Sequence, residues 1–181
     1  TLFRSVGNEP FFVILADDLI DGGARSSLQQ MAEVFAERQS SMVGIEKVSP
    51  DETNRYGIIK PAPAGPRLHQ VQDIVEKPAP KDAPSTLGVV GRYILTPRIF
   101  TLLKETKRGA GGEIQLTDAI AALLKHEKVY GYEFVGVRYD CGSKEGYLRA
   151  TVEYGLKHTE LGNTFRDYLI QIGADLQQGK R

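Results

Sequence analysis

The sequence predicts an α/β fold: a mixed, mainly parallel sheet, an antiparallel β extension in the middle of the chain, and helices towards the C-terminus. Three observations carry this reading. The apolar run Pro10–Ala16 is followed by a helical pattern and a second apolar run, the order of a βαβ unit. Three strand-like runs then follow, separated by proline and glycine clusters. From Ser143 onward, apolar side chains recur at helical spacing.

Each element has its own signal. Pro10–Ala16 (PFFVILA) lacks alternation, which fits a strand buried on both faces, and it ends in Asp17-Asp18. Between Ser26 and Gln39, residues Leu28, Met31, Ala32 and Phe35 recur at i, i+3, i+4 and i+7, one face of an amphipathic helix. Met42–Val48 reads as the next strand. Gly57–Lys60, Leu68–Val75 and Thr86–Leu95 read as strands of the antiparallel region. Pro61, Pro63, Gly65 and Pro66 break the first junction, and Pro78, Pro80 and Pro84 break the second. Pro97–Glu105 is a helix with proline in its first turn, and Lys107–Gly112 a flexible loop. Leu116–His126 is a helix with Thr117 or Asp118 as its cap. Val129–Tyr139 is a strand by its aromatic and β-branched content. Ser143–His158 is a helix. Phe165, Tyr168, Leu169 and Ile172 mark a last one, with Thr164 and Asp167 spaced as a capping box. With no internal repeat, low-complexity tract or linker, residues 1–181 read as one domain.

Composition limits the function. The chain has 23 basic and 23 acidic side chains, a formal charge of zero, which argues against nucleic acid or an anionic membrane as partner. A local phosphate site needs only a few lysines and stays open. One cysteine allows neither an intramolecular disulfide nor a cysteine-based zinc cage. Phe11–Ala16 is too short to span a bilayer, and no secretion signal opens the chain. A reduced, cytoplasmic setting is expected.

Few residues stand out as chemistry. Asp17 ends the most apolar strand, where ligands of open α/β sheets bind; it suits a hard cation such as Mg²⁺ or, equally, the cap of a turn. Asp140 repeats the geometry after Val129–Tyr139, and either holds a cation or caps the next helix. Glu76-Lys77-Pro78 follows a strand. Lys77 there suits a phosphate and Glu76 sugar hydroxyls, unless the two form a solvated ion pair. Gly57, after Tyr56, serves a ligand's close approach or a turn; Gly88 and Gly91 serve a ligand or a bulge. No G-x-G-x-x-G dinucleotide fingerprint or P-loop spacing occurs. His69, His126 and His158 lack ligand spacing and read as surface residues. Cys141 reads as a packed thiol, and no nucleophile with its base is evident.

Taken together, FFVILADDLID, RYGIIKP, DIVEKPAPKDAPSTLGVVGRYIL, GAGGEIQLTDAI and YDCGSKEGYLRATVEYGLKH resemble the bacterial UTP–glucose-1-phosphate uridylyltransferases, from about Gly7 to about Ile172. VEKP and the strand-end aspartate are shared by sugar nucleotidyltransferases in general; GEIQLTDAI and DCG-x-K-x-GY are narrower. The resemblance implies a Rossmann-like sheet of the nucleotide-diphospho-sugar transferase type with a sugar-binding β extension. It implies Mg²⁺ on Asp17 and Asp140, the sugar phosphate on Lys77, and glucose against Glu76, the Gly57 backbone, Tyr56 and Gly91. It makes GEIQLTD mostly structural. That family opens with a strand and a G-x-G-T-R loop that bind the nucleoside triphosphate. Nothing like them precedes Asp17, so the expected domain is N-terminally incomplete.

The implied reaction joins UTP and α-D-glucose 1-phosphate into UDP-glucose and pyrophosphate in a homo-oligomeric enzyme. Two other readings stand beside it. One is a related transferase using thymidine or adenosine triphosphate. The other is a non-catalytic sugar-phosphate-binding or oligomerising module.

Overall fold

A computed structural model describes residues 6–109 and 112–180. Ala110 and Gly111, within the loop expected over Lys107–Gly112, lie outside them. The described residues fall into two compact units: those up to Ala16 with Ile20–Val137, and Asp17–Leu19 with those from Arg138 onward.

The first unit is built on a six-stranded sheet. Its strands are β1 (Phe11–Ile14), β3 (Met42–Lys47), β4 (Gly57–Gly65), β5 (Leu68–Glu76), β6 (Leu87–Leu95) and β7 (Tyr130–Glu133), in the order β1-β6-β3-β7-β5-β4. Period-two alternation sends neighbouring residues to opposite faces. Val43, Ile45, Tyr93 and Leu95 pack with α2 (Arg98–Glu105) and α3 (Leu116–Leu123), through Ile99, Leu102, Ala119, Ile120 and Leu123. Met42, Leu68, Ile94 and Tyr130 face the other way and gather Met31, Val34 and Phe35 of α1 (Ser27–Arg38). Helices cover both faces, as α/β layering requires.

The mixed sheet is as expected, but its balance is not. Within this six-stranded sheet, among the described residues, only β3 and β7 pair in parallel; its other pairs are antiparallel. The cause is β6, which returns between β1 and β3. These two still run the same way, joined through α1, but never touch as a ladder. As an outer strand of this sheet, β1 alternates rather than being buried on both faces: Phe12 is 46% and Ile14 53% exposed.

Other elements differ for local reasons. β4 runs through Pro61 and Pro63, with register shifts at Lys60/Pro61 and Pro63/Gly65. Past its single bridge to β6 it is an edge strand, where a missing N–H costs little. The expected strand over Val129–Tyr139 is two, β7 and β8 (Val137–Asp140). Gly136 separates them at φ 148°, and a Cβ there would lie 2.5 Å from the Asp21 carbonyl oxygen. α1 opens on a Ser26–Gln29 capping box. Its buried stripe is Ser27, Gln30 and Met31, one position round from the stripe expected. α3 is preceded by Gln115, with no side-chain cap; Thr117 and Asp118 lie inside the first turn. His69 is not a plain surface residue: its Nε2 lies 2.6 Å from Glu133 Oε1, half-buried.

The second unit holds Asp18 and Leu19 of β2 (Asp18–Asp21), Arg138–Asp140 of β8, and the helices α4 (Lys144–Leu156) and α5 (Gly162–Gln177). β2 and β8 pair as a two-stranded ribbon. The two helices meet where the Phe165 ring lies against Gly155; a Cβ on that glycine would sit 2.6 Å from the ring. No Thr164–Asp167 capping box forms. Thr164 lies within α5 and its hydroxyl donates to the Leu161 carbonyl at 3.0 Å. Among the described residues no helix is long and apolar enough to cross a membrane.

Candidate active site

The sequence-derived residues form two groups, one in each unit.

In the first unit, β4 and β5 pair so that Gly57 lies opposite Glu76. The next step of the hairpin is closed by Lys77, whose N–H donates to the Tyr56 carbonyl at 2.9 Å. Tyr56, Gly57, Glu76 and Lys77 therefore stand at one end of one hairpin. Lys77 has φ 46°, in the left-handed region that a non-glycine residue seldom occupies. Pro78 excludes the helical conformation from the residue before it, and the chain turns sharply here. The Lys77 side chain is more than half exposed, and its ammonium lies 3.8 Å from Glu76 Oε1.

The Glu76 side chain is only 17% exposed. Among the described residues no N–H or O–H donates to it. It is an acceptor largely removed from water, with only a loose ion pair for company. The surface ion pair foreseen for this dipeptide has two exposed partners; here one is mostly covered. Gly57 is close-packed. A Cβ there would lie 3.1 Å from Thr117 Oγ1, 3.2 Å from Thr117 Cγ2 and 3.3 Å from Glu76 Oε2. Thr117 of α3 thus belongs to this group, which the sequence reading missed by treating its segment as structural.

Tyr56 packs over Gly88, where a Cβ would lie 3.3 Å from the Tyr56 Cβ, and the Arg55 guanidinium stands 5.7 Å from the Tyr56 ring centroid. Gly91 sits at the register shift of β6 opposite Val43/Gly44. Its carbonyl accepts from Leu15 N–H at 3.0 Å and from Arg92 Nη1 at 2.8 Å. This is the bulge alternative for Gly91.

In the second unit, Asp17 and Asp140 come together. The Cys141 N–H donates to the Asp17 carbonyl at 2.7 Å, fixing the two segments side by side. Asp140 does not cap α4. Ser143 does, accepting from the Gly146 N–H at 3.0 Å. The Asp140 carboxylate instead accepts from the Gly142 N–H at 3.2 Å. A Cβ on Gly142 would lie 3.1 Å from Asp17 Oδ2 and 3.2 Å from Asp140 Oδ1, so both carboxylates border one small space. Beside them Arg138 Nε donates to Asp18 Oδ1, in an ion pair less than a tenth exposed.

The donor set fits Mg²⁺ in kind. That ion takes oxygen ligands, keeps several waters, and is held through one or two carboxylates together with substrate phosphates. Two aspartates bordering a space that glycine keeps open meet this description. A cage of three or more His, Cys, Asp or Glu is absent among the described residues; Mg²⁺ bound together with substrate phosphates does not require one.

The profile of the nucleotidyl transferase family matches residues 3–156. The chain is 44% identical, over 96% of its length, to a UTP–glucose-1-phosphate uridylyltransferase of Streptococcus pneumoniae serotype 4, of which it covers 59%. Among solved structures it resembles a UDP-glucose pyrophosphorylase complexed with UDP-glucose, with TM-score 0.83 and 46% identity, covering 86% of this chain and 60% of the other. It also resembles a UTP-bound UGPase from Acinetobacter baumannii, with TM-score 0.82 and 39% identity, covering 92% of this chain and 58% of the other. The chain thus spans about three-fifths of the length of the relatives it matches.

Proposed function

Because this chain belongs to the nucleotidyl transferase family, we propose that it carries the sugar-phosphate and metal sites of a UTP–glucose-1-phosphate uridylyltransferase, which forms UDP-glucose and pyrophosphate from UTP and α-D-glucose 1-phosphate. The observation that carries the proposal is the Glu76–Lys77 step. A carboxylate without a donor among the described residues, 17% exposed, adjoins a lysine whose side chain is more than half exposed, at the end of a strand. That pairing suits a ligand with hydroxyl donors at one end and a phosphate at the other.

In the proposed reaction an oxygen of the sugar phosphate attacks the α-phosphorus of UTP, and the bond to pyrophosphate breaks. Such transfers rest on positioning and charge neutralisation, so no protein nucleophile is needed. Lys77 holds the phosphate of glucose 1-phosphate as a point charge. Glu76 accepts hydrogen bonds from glucose hydroxyls, with the Gly57 backbone and Tyr56 bounding the sugar; Gly91 contributes through the strand that carries it. Asp17 and Asp140 hold Mg²⁺, which when bound neutralises phosphate charge. The same reading makes the protein a cytoplasmic homo-oligomer; light scattering after size-exclusion chromatography tests the assembly.

Calorimetry of glucose 1-phosphate on the 181-residue chain, with an assay for UDP-glucose from UTP, glucose 1-phosphate and Mg²⁺, tests the proposal. Binding with turnover supports the transferase. Binding without turnover favours a sugar-phosphate-binding module. Failure to bind glucose 1-phosphate overturns the sugar-phosphate site.

A further inference from the structure

The proposed reaction gives no part to the buried pair of Arg138 and Asp18. Arg138 Nε donates to Asp18 Oδ1, and the two side chains are 9% and 8% exposed. Taking two charges out of water is costly, and an apolar pair of similar volume is often at least as stable. Stability therefore does not account for the pair, but its place does. Asp18 follows Asp17 directly. Arg138 stands two residues before Asp140, on the same face of β8 by strand alternation. One residue past Asp140, the Cys141 N–H donates to the Asp17 carbonyl at 2.7 Å. The two aspartates thus lie between a backbone tie and a side-chain tie. A ribbon of two strands is marginal by itself and twists more than a wide sheet. One tie lets its segments pivot; a second sets their separation and rotation together. The space concerned is small, since a Cβ on Gly142 would lie 3.1 Å from Asp17 Oδ2 and 3.2 Å from Asp140 Oδ1.

We infer that Asp18 and Arg138 are positioning residues for the metal site: their pair holds the ribbon so that the Asp17 and Asp140 carboxylates face one cation. This role rests on the Mg²⁺ reading proposed above for those two aspartates. Asp18 and Arg138 act through the segments they join and do not themselves ligate the ion. Position and charge make opposite demands on Arg138, which separates them. Removing its cation leaves the aspartates in a more negative surrounding, and Coulomb attraction alone would then tighten a bound cation. Loss of position weakens it.

The test is Mn²⁺ binding to the 181-residue chain, read by the electron paramagnetic resonance of free Mn²⁺, with urea titration of the same preparations. Arg138→Met is expected to raise the Kd for Mn²⁺ about tenfold or more, the scale for losing the support of a metal ligand. The double variant Asp18→Leu with Arg138→Met removes one charge of each sign and leaves the local net charge unchanged. It should regain the stability lost in Arg138→Met, while its Kd for Mn²⁺ stays raised about tenfold. A purely structural pair would regain both together. The double variant decides alone if Arg138→Met does not fold. A Kd in Arg138→Met equal to or below that of wild type overturns the inference and leaves the metal site standing. So does wild-type Mn²⁺ affinity in the double variant. No Mn²⁺ binding by wild type overturns the metal reading, and the role of the pair with it.

Discussion

Asp17 and Asp140 are separated by more than a hundred residues in sequence, yet Oδ2 of one and Oδ1 of the other approach the Cβ position of Gly142 to 3.1 and 3.2 Å. Two carboxylates so placed repel unless a cation lies between or beside them. Asp17→Asn is expected to weaken Mn²⁺ binding, read by the electron paramagnetic resonance of free Mn²⁺, at least tenfold. Gly142→Ala, which puts a methyl in the shared space, should act in the same direction. In an active enzyme Asp17→Ala should leave less than a tenth of the Mg²⁺-dependent rate, a loss above ~1.4 kcal/mol. Full Mn²⁺ affinity in both single variants would remove the metal role.

The Arg138–Asp18 pair beside this site is almost wholly out of water. Breaking a buried pair strands a charge, which costs far more than the intact pair contributes. Arg138→Met should lower unfolding free energy by about 3 kcal/mol in urea titration. The exposed Arg149–Glu145 pair in α4 is the control, and Arg149→Met should change stability by less than ~0.5 kcal/mol. Similar effects of the two variants would show that the ribbon pair carries no special weight.

Much of the fold follows from apolar period and turn chemistry. The strand pairs of the middle region, the three-layer arrangement and the helix near Ser26 are all written locally. What escaped is non-local. Nothing in Val129–Tyr139 itself says that Gln30 grips its backbone or that Gly136 must clear the Asp21 carbonyl. The signal for Gln30 was present but faint. Ser27, Gln30, Met31 and Val34 form a rival stripe, with polar residues that need buried partners. Of the site, Glu76, Lys77, Asp17 and Asp140 were legible as charges at strand ends. Thr117 was not, because a threonine in a helix announces nothing until the glycine it touches is known. Tyr56 reached the site reading by resemblance, and its carbonyl does accept from the Lys77 N–H; Gly91, read as a ligand-facing or a bulge glycine, stands at the bulge, where its carbonyl accepts from Leu15 and Arg92.

Gln30 pairs with Val135 as a strand would. Its Oε1 accepts from the Val135 N–H at 2.7 Å, and its Nε2 donates to the Val135 carbonyl at 2.8 Å and to the Arg25 carbonyl at 2.9 Å. Gln30→Ala strips partners from two groups of Val135 at once. A loss of about 2–3 kcal/mol is expected, with faster amide exchange at Val135. A variant as stable as wild type would mean that water replaces the side chain without cost.

On the proposed reading, Lys77 distinguishes glucose 1-phosphate from UTP. As a point charge for the sugar phosphate, Lys77→Ala should raise the Kd of glucose 1-phosphate ten- to a hundredfold, the scale of a charge-assisted hydrogen bond. The Kd of UTP should move by less than threefold. Equal effects on both ligands would sink the assignment. Lys77→Arg should recover only part of the loss, since the fork of a guanidinium differs from a compact ammonium.

Gly57 tests the sugar site from its backbone. An alanine Cβ would press on Thr117 Oγ1, Thr117 Cγ2 and Glu76 Oε2 at 3.1–3.3 Å, distances at which neighbours must give by a few tenths of an ångström. Glu76 and Thr117 side chains can yield, so Gly57→Ala should cost little stability, about 1 kcal/mol or less by the scale of mild overpacking. The same shift moves Glu76, the proposed sugar anchor. Glucose 1-phosphate affinity should therefore fall about tenfold or more, because hydrogen bonds to a sugar tolerate little displacement. Calorimetry and urea titration on one preparation separate the two effects. A variant that loses stability but keeps its affinity would show that the glycine serves the β4–β5 hairpin and its packing on α3, and not the ligand.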